Sequence, residues 1–316
     1  MDFLRATTLF FGLLSTGSAF SAQCLYVSSY HTGYEWNDGI ERGIESIIDN
    51  RCELDKFYLD SKRNKDPDFI KSMAQKAMQH IEQTKPDVVI ACDDNASKYL
   101  VVPYLKDSQT PVVFCGINWT VKSYGYPFSN VTGIVEISPI KQLIEQVTNT
   151  VDNPKHGIYL APDVISQRKE LELNKGLYAK QGIQVRPHFV QNMTEWVQAY
   201  KQANNEADFI IIGNNGGIND WDANLARETT NQFSRVFTVT NYEWMAPFAM
   251  LAMTKIAEEQ GEWSAQSAMA ILDGLAASQI PIVVNRRWNI YVNQQILQKS
   301  GVQLAPHIIN KAVKVK

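Results

Sequence analysis

The chain has 316 residues, a formal net charge of −3 and an apolar content of 45%. This length and composition are typical of a globular protein with two domains of common size. The sequence has no basic stripe, so we expect no nucleic-acid partner. It also has no repeat of solenoid length and no low-complexity segment, which excludes repeat architectures and long disordered linkers.

The first 22 residues have the layout of a secretory signal peptide. Arg5 precedes an apolar stretch, and small residues follow up to Ala19 and Ala22, after either of which cleavage is expected. The alternative is an uncleaved membrane anchor, although the apolar stretch is short for a bilayer span. We therefore predict an exported, periplasmic protein with no membrane-spanning segment elsewhere.

The chain contains four cysteines. In an oxidising compartment an even number permits disulfides, but spacing alone does not determine which cysteines pair. Cys24 opens the first predicted strand and Cys52 opens the second, which favours a Cys24–Cys52 disulfide between neighbouring strands. Cys92 and Cys115 each end an apolar strand, where buried thiols are common, so their pairing stays open.

From Cys24 onward, short apolar strands alternate with amphipathic helices. The predicted strands of the first half are CLYVSSY, ELDKFYLD, PDVVIACDD, TPVVFCGIN and NVTGIVE. The same order restarts after residues 133–138, with the strands HGIYLAPD, IQVRPHFV, ADFIIIGNNGG and VFTVTNY. Helices of about ten to fifteen residues between strands are typical of βαβ units and a parallel sheet.

The repeated series predicts an α/β fold with two doubly wound parallel-sheet lobes. A single barrel of eight strand–helix units is the alternative, because it has the same alternation and a similar length. Barrel enzymes usually carry catalytic acids or lysines at several strand ends. The strand ends of this chain carry Ser, Asn, Gly, Asp and aromatic residues instead, which favours two lobes and a recognition site.

Ligands of open parallel sheets bind beyond the carboxyl ends of the strands, so residues that follow each apolar run are site candidates. Most are short hydrogen-bonding side chains or aromatic rings, which suit a small polar molecule with an apolar or ring-bearing part. The predicted ligand-binding residues are Ser28, Ser29, Tyr30, His31, Trp36, Asp93, Asp94, Asn118, Trp119, Asp163, Asn214, Asn215, Asn241 and Trp244.

Two adjacent acids, Asp93 and Asp94, follow the apolar run of residues 88–92. In the simplest interpretation Asp94 or Asn95 caps the next helix, which is the commonest role of Asp or Asn at that position. One cap does not require two acids. Asp93 is therefore the surplus carboxylate, and we predict that it binds a positive or donor group of the ligand.

The segment GNNGG, residues 213–217, permits two interpretations. It is either a glycine-rich turn into a helix or a set of backbone N–H groups that receive a ligand carboxylate. It lacks the Gly-Lys-Ser/Thr of a phosphate-binding loop and the full spacing of a dinucleotide motif, so we predict no nucleotide cofactor.

The sequence gives no positive sign of catalysis. The histidines have no metal-ligand spacing, and there is no Gly-x-Ser-x-Gly motif of a serine esterase. Cys115 with His31 is a conceivable nucleophile and base, but Cys115 has no activating neighbour in the sequence. We predict a protein that is not an enzyme and that uses no metal or other cofactor.

Four segments, VSSYHTGYEWNDGIERGI, FYLDSKRN, KPDVVIACDDNASKYL and PVVFCGIN, together resemble the ABC-transporter substrate-binding protein family with the type I periplasmic-binding fold. More narrowly, they are similar to the branch found as the sensing region of bacterial sensor kinases and diguanylate cyclases. The segment AMAILDGLAASQIPIVVNRRWNIYVNQQILQKSGV extends the resemblance over nearly the whole mature chain. Transporter-type members tend to carry small neutral residues where this chain has Asp93 and Asp94, so their ligands do not transfer directly.

The resemblance implies two lobes joined by a three-stranded hinge, closing on a small ligand that in some family members is an aromatic amino acid. The chain would cross between the lobes near residues 134–138, 239–243 and 275–281, and a helix around residues 246–259 would return to the first lobe. The predicted boundaries are residues 1–22 for the signal peptide, 23–136 with 242–276 for the N-terminal lobe, 137–241 with 277–306 for the C-terminal lobe, and 307–316 for a tail.

Together these features predict a monomeric periplasmic solute-binding protein that captures a small polar ligand, such as an amino acid or related amine, for a membrane permease. The carboxylate or hydroxyls of the ligand are assigned to Ser28, Ser29 and Asn215. The walls of the cleft are assigned to the rings of Tyr30, Trp119 and Trp244. The alternative is a periplasmic ligand sensor that regulates a separate membrane sensor kinase or diguanylate cyclase.

Overall fold

A computed structural model of the protein describes residues 22–315. The predicted signal peptide therefore lies outside the described residues, apart from Ala22, which begins the first strand. Within the described range, no helix has both the length and the apolar character needed to cross a membrane. The strands form two sheets, one of six strands and one of seven.

The first half of the chain alternates strand and helix and supplies five neighbouring strands of the six-stranded sheet. Its elements are β1 (Ala22–Ser28), α1 (Glu35–Ile48), β2 (Cys52–Tyr58), α2 (Pro67–Thr84), β3 (Val88–Cys92), α3 (Asp93–Ala96), β4 (Val112–Asn118) and β5 (Val131–Glu136). The helix that begins at α3 continues with π-helical geometry over Ser97–Leu105. The strands pair in parallel in the order β2, β1, β3, β4, β5, which places β3 at the centre with all its residues buried.

The second half repeats this pattern and builds the other sheet. Its elements are α4 (Ile140–Thr150), β6 (His156–Pro162), α5 (Ile165–Ala179), β7 (Gln184–Val190), α6 (Met193–Glu206), β8 (Phe209–Ile212), α7 (Ala223–Phe233), β9 (Phe237–Thr240) and β10 (Leu251–Lys255). These strands also pair in parallel, in the order β7, β6, β8, β9, β10. Two doubly wound lobes are thereby confirmed, and the single barrel is excluded.

The last part of the chain contributes to both lobes. Its elements are α8 (Ala257–Leu272), β11 (Val283–Val284), β12 (Trp288–Asn293), α9 (Gln294–Ser300), α10 (Pro306–Lys311) and β13 (Val313–Val315). β11 pairs with β5 of the first sheet, whereas β12 pairs antiparallel to β10 and carries β13 on its other side. The chain therefore passes between the lobes three times, after β5, after β10 and after β11.

The sheet membership differs from the predicted segments at three places. β10 lies in the second sheet, although residues 242–276 were assigned to the first lobe. The single helix predicted over residues 246–259 is wrong, because a 3-10 helix ends at Phe248, β10 follows, and α8 begins only at Ala257. β11 lies in the first sheet, although residues 277–306 were assigned to the second lobe, and β13 forms an edge strand within the predicted tail. The reason is local: a short apolar run such as residues 250–254 does not distinguish a buried strand from a buried helix by its periodicity.

Two glycines explain why α8 belongs to the first lobe. A Cβ atom on Gly261 of α8 would lie 1.9 Å from the carbonyl oxygen of Ile40, and one on Gly43 of α1 would lie 2.2 Å from the carbonyl oxygen of Glu258. Any larger residue would push the two helices apart. This close contact holds α8 on the first lobe and so decides where the chain crosses back from the second.

All four cysteines are paired. The predicted Cys24–Cys52 disulfide is confirmed and joins β1 to β2, with its Cα atoms 5.8 Å apart. The pair left open by the sequence, Cys92 and Cys115, also forms a disulfide between directly opposed residues of β3 and β4. The conceivable pairing of a Cys115 nucleophile with His31 is therefore wrong, because the sulfur of Cys115 is already bonded to Cys92.

Candidate functional site

A cavity of about 460 Å³ lies between the two lobes, at the carboxyl ends of the first-sheet strands. Its volume falls in the range of roughly 300–1,000 Å³ that small-molecule sites occupy. The residues that line it from the first lobe and the first crossing are Tyr30, Tyr34, Trp36, Lys62, Asp93, Asn118, Trp119, Glu136 and Ser138. Those that line it from the second lobe are Ser166, Glu170, Asn241, Tyr242, Glu243, Trp244, Thr254 and Lys255. We call this cavity the interlobe cleft.

The interlobe cleft continues into a second cavity of about 590 Å³. The two share the wall formed by Tyr34, Trp36, Glu243, Trp244 and Lys255.

Asp93 is the buried carboxylate at the floor of the cleft. It follows β3 directly and is only 2% exposed, and its Oδ2 atom is buried with no hydrogen-bond partner among the described residues. Burial raises the pKa of Asp93 well above its usual range, and the neighbouring carboxylates of Glu136 and Asp94 add to the rise. Trp36 Nε1 and Thr254 Oγ1 of the cleft wall are likewise buried without a partner among the described residues. A buried polar atom without a partner costs free energy, and Asp93 is the one acid in this set.

The backbone at Asp93 explains how the carboxylate reaches the cleft. Asp93 has φ of 71°, a left-handed conformation in which Asp and Asn are enriched among the non-glycine residues. Gly116, on the neighbouring strand β4, makes the space: a Cβ atom there would lie 2.7 Å from Asp93 Oδ1. Any residue other than glycine at position 116 would displace the carboxylate.

Glu136 and Lys255 form an ion pair that joins the two lobes at the cleft. Glu136 ends β5 of the first sheet and is 4% exposed, and its Oε1 accepts a hydrogen bond from Nζ of Lys255 at the end of β10. Burial raises the pKa of Glu136, and Lys255 offsets part of that rise. Both residues lie at lobe crossings, so this pair lies where the lobes would rotate.

Aromatic rings form much of the rest of the wall: Tyr30, Tyr34, Trp36, Trp119, Tyr242 and Trp244. Cations of the protein already lie against several of them. Lys62 Nζ is 4.8 Å from the ring centres of both Tyr30 and Tyr34, and Lys255 Nζ is 5.0 Å from that of Trp36. The faces of these rings attract positive charge, so the same wall suits an ammonium group of a ligand.

The second lobe contributes a further, partly buried acid, Glu170 of α5. Its Oε1 accepts a hydrogen bond of 3.0 Å from Asn241 Nδ2, a residue predicted for the site. Burial raises the pKa of Glu170. Carboxylates therefore line the cleft from both lobes.

Seven of the fourteen predicted residues line the interlobe cleft: Tyr30, Trp36, Asp93, Asn118, Trp119, Asn241 and Trp244. The other seven do not: Ser28, Ser29, His31, Asp94, Asp163, Asn214 and Asn215. All seven of these residues also follow a strand or lie beside the cleft. What separates them from the cleft-lining residues is that they are bonded elsewhere in the protein.

Ser28 and Ser29 are buried and bonded within the first lobe. Ser28 Oγ accepts hydrogen bonds from Asn37 Nδ2 and from the backbone N–H of Tyr30. Ser29 Oγ donates to the carbonyl oxygen of Cys92 at 2.6 Å and accepts from the backbone N–H of Ala96 at 2.8 Å. Their hydroxyls stabilise the junction of β1 and α3, which leaves them no role with a ligand carboxylate.

Asp94 is not the predicted helix cap. The helix that begins at Asp93 has no side-chain cap bond at its first position, and the hydroxyl of Ser29 satisfies one of its free N–H groups instead. Asp94 accepts hydrogen bonds from Tyr124 Oη at 2.6 Å and from Asn118 Nδ2 at 3.1 Å. It therefore positions the segment after β4, from which Asn118 and Trp119 reach the cleft.

The predicted residues of the second lobe that miss the cleft are engaged locally. Asp163 forms an ion pair with Arg168, with Oδ1 2.7 Å from Nε. Asn214 Oδ1 accepts from the N–H of Gly216, and the carbonyl of Asn215 accepts from the N–H of Ile218. In the described chain the GNNGG segment is thus a structured turn, which was the simpler of its two interpretations.

His31 lies beside the cleft and not in its wall. Its Nδ1 atom is 2.9 Å from the carbonyl oxygen of Thr32, and its ring packs near that of Tyr34. No group of three or more His, Cys, Asp or Glu side chains within residues 22–315 is arranged to hold a metal ion.

Sequence reasoning missed ten residues of the cleft: Tyr34, Lys62, Glu136, Ser138, Ser166, Glu170, Tyr242, Glu243, Thr254 and Lys255. Glu136 and Lys255 had a readable signal, because each is a charged residue that directly ends an apolar strand run. Tyr242 follows another strand in the same way. Lys62, Ser166 and Glu170 lie in a loop or on a helix, where nothing in the local sequence separates a cleft residue from a surface residue.

Comparison with known families gives one match that spans most of the chain. The family described as ABC transporter substrate binding protein matches residues 30–316. A search of curated protein sequences gives no match.

Several solved structures share the fold. A ligand-free, open substrate-binding protein with adhesive properties from Clostridium difficile superposes with a TM-score of 0.72 at 15% identity, over 94% of this chain and 99% of that one. An ABC domain in complex with L-Trp from Streptococcus pneumoniae gives 0.61 at 18% identity, over 94% and 100% of the two chains. A leucine-binding protein from Thermotoga maritima gives 0.53 at 12% identity, over 80% and 83%. At these identities the likeness shows the fold alone, which is the predicted type I periplasmic-binding fold.

Proposed function

The chain belongs to the ABC transporter substrate-binding protein family, and from this premise we propose that it captures a small organic molecule with an amino group in the interlobe cleft. The observation that carries the proposal is Asp93 Oδ2, a buried carboxylate oxygen in the cleft wall with no partner among the described residues. A ligand ammonium would supply the missing hydrogen bond together with a compensating charge. The surrounding rings would hold the rest of the ligand by stacking.

Closure of the lobes would follow from contacts that exist only when both lobes touch the ligand. Asp93 and Trp119 belong to the first lobe, and Glu170 and Tyr242 to the second. A ligand that bonds to both sides favours the closed population over the open one. Similar structures that bind L-Trp and leucine support a ligand with an amino group, because both compounds carry one.

The proposed partner is a membrane permease that recognises the closed, loaded protein. Substrate-binding proteins of this family work with such permeases and are not enzymes, so we expect capture without turnover. Periplasmic location is part of the same proposal. Two disulfides, which persist in oxidising compartments, support it.

The first test is native mass spectrometry of the purified protein, followed by a thermal-shift screen of amino acids, amines, sugars and carboxylic acids. A ligand present at 100 times its Kd should stabilise the protein by about 2.7 kcal/mol. The proposal expects the largest shifts from compounds with an amino group. Shifts only from sugars or from acids without nitrogen would contradict it, as would the absence of any shift.

A second test addresses the partner. Cells that lack the gene should take up the identified ligand more slowly, and expression of the protein should restore uptake. If uptake is unchanged while a ligand-dependent change in cyclic-dinucleotide level or kinase signalling is lost, the permease is the wrong partner and the protein is a sensor.

A further inference from the structure

The balance of charge in the interlobe cleft restricts the class of ligand. Four carboxylates and two ammonium groups line it: Asp93, Glu136, Glu170 and Glu243 against Lys62 and Lys255. If all six were ionised, the cleft would have a surplus of two negative charges. Burial raises the pKa of Asp93, Glu136 and Glu170, so protons on these acids offset the surplus while the cleft holds no cation. Burial makes each uncompensated charge more costly than it would be in water.

Neither lysine is arranged as a dedicated partner for a ligand carboxylate. Lys255 is already ion-paired with Glu136. Lys62 is exposed at the rim and lies over the rings of Tyr30 and Tyr34, the position that a ligand cation would take. The two serines predicted to receive a carboxylate, Ser28 and Ser29, are bonded inside the first lobe. Ser138 and Ser166 line the cleft but carry no charge to balance a carboxylate.

The surplus acids lie on both sides of the cleft. Asp93 and Glu136 belong to the first lobe and are buried, and Glu170 of the second lobe is partly buried. In a closed cleft of lower dielectric constant these acids stay ionised only if a cation lies between them. A bound cation replaces their protons and bonds to both lobes. A zwitterion would add its own carboxylate to a cleft in which carboxylates already outnumber ammonium groups.

We propose that the ligand carries a net positive charge: an amine without a carboxylate, with an apolar or aromatic body that stacks on the rings of the cleft. This inference rests on the proposed function and narrows it from amino-group ligands in general to cationic amines. Asp93 binds the ammonium, and the body extends between Trp36 and Trp244 towards the adjoining cavity.

The test is a charge series on constant skeletons, with affinities measured by calorimetry at pH 7. Tryptamine, tryptophan and indole-3-propionate form one series; phenethylamine, phenylalanine and 3-phenylpropionate form a second; pentylamine, norleucine and hexanoate form a third. The expected order on the best skeleton is cation, then zwitterion at least tenfold weaker, then anion. A zwitterion that binds as tightly as its cation overturns the inference and leaves the proposed function standing. If no cation of the three series binds, the inference is wrong, and if no solute of the wider screen binds, the proposed function also fails.

A variant of Lys62 provides an independent readout. Lys62→Gln removes a repelling ammonium from the rim and frees the faces of Tyr30 and Tyr34, so affinity for the best amine should stay the same or rise severalfold. Lys98→Gln is the matched control, since Lys98 Nζ lies 4.9 Å from the ring centre of Tyr99, whose ring does not line the cleft. A tenfold loss of affinity in Lys62→Gln alone would overturn the inference, because it would mean that Lys62 binds an anionic group of the ligand.

Discussion

Each lobe buries a polar side chain beside a strand end, but one side chain is hydrogen-bonded within its lobe and the other has an oxygen without a partner in the described part of the chain. In the second lobe, Gln167 is 1% exposed and fully bonded: Oε1 accepts from Tyr159 Oη at 2.9 Å and from the N–H of Asn214 at 3.1 Å, and Nε2 donates to Tyr242 Oη at 3.1 Å. In the first lobe, Asp93 is 2% exposed and its Oδ2 has no partner among the described residues.

A glycine makes room for the polar group in both cases. A Cβ atom on Gly213 would lie 2.3 Å from Gln167 Oε1, and one on Gly116 would lie 2.7 Å from Asp93 Oδ1. The two glycines leave similar space, and the two buried side chains differ in whether their polar atoms are hydrogen-bonded. A satisfied buried group stabilises its own lobe, whereas an unsatisfied one costs stability until a ligand binds.

The largest expected effect is the loss of ligand affinity when Asp93 becomes neutral. Asp93→Asn keeps the shape and tolerates the left-handed backbone, but it removes the charge that attracts the ammonium. We expect the Kd of the best ligand to rise about 100-fold, equivalent to about 2.7 kcal/mol, measured by calorimetry. Asp107→Asn is the matched control, because Asp107 has a similar φ of 53° on an exposed part of the first lobe. Unchanged affinity in Asp93→Asn would remove Asp93 from the site.

The second expected effect is a loss of stability when Gln167, the hydrogen-bonded side chain of the second lobe, is replaced. Gln167→Leu removes the three hydrogen bonds that the amide makes with Tyr159, Tyr242 and the backbone N–H of Asn214, so we expect the free energy of unfolding to fall by about 2 kcal/mol. Ligand affinity should change less than tenfold. Gln181→Leu, an exposed glutamine of the same lobe, should stay within about 0.5 kcal/mol. Lost affinity with unchanged stability in Gln167→Leu would mean that the two lobes do not differ as we infer.

The third effect is the dependence of amine affinity on pH. Because burial raises the pKa of Asp93, a proton competes with the ligand for its carboxylate up to that raised pKa, and an ammonium favours the ionised form. Glu136 and Asp94 favour protonation of Asp93, and Lys62 and Lys255 oppose it. Affinity should therefore rise as pH increases through the raised pKa, by at most about tenfold per pH unit for one proton, and then level off. Calorimetry in buffers of different ionisation enthalpy should detect proton release on binding, and proton uptake would contradict the assignment.

The smallest effect is a gain in stability without ligand. An acid whose folded-state pKa is raised destabilises the fold above that pKa, because it ionises more readily in the unfolded chain. Asp93→Asn should therefore increase the free energy of unfolding at neutral pH by about 1 kcal/mol, with the gain disappearing as pH falls through the raised pKa. Denaturant titration measures it. Asp107→Asn should give no such gain, since hydrogen bonds from Ser129 lower the pKa of Asp107. A destabilised Asp93→Asn would show that the carboxylate has a structural partner.

Much of the fold could be predicted because its signals are local. Continuous apolar runs such as residues 88–92 predicted buried strands, and the alternation with helices predicted parallel sheets. The prediction was wrong where one short apolar run, residues 251–255, was assigned to a helix and not to β10. The close contact of Gly43 with Glu258 on α8, which decides the crossing after β10, joins residues far apart in sequence.

The sequence by itself predicted the two-lobed architecture, favoured the Cys24–Cys52 disulfide and placed Asp93 after a buried strand, since each depends on neighbouring residues or on strand order. The tertiary structure decided which polar groups remain free. Glu136 pairs with Lys255, 119 residues away in the sequence. The hydroxyl of Ser29 is hydrogen-bonded to the backbone of Cys92 and Ala96, which are 63 and 67 residues away. A local sequence pattern does not reveal hydrogen-bond partners at such distances, so only the folded chain separates an acid with an oxygen left unbonded by the described residues from a serine that is bonded in the core.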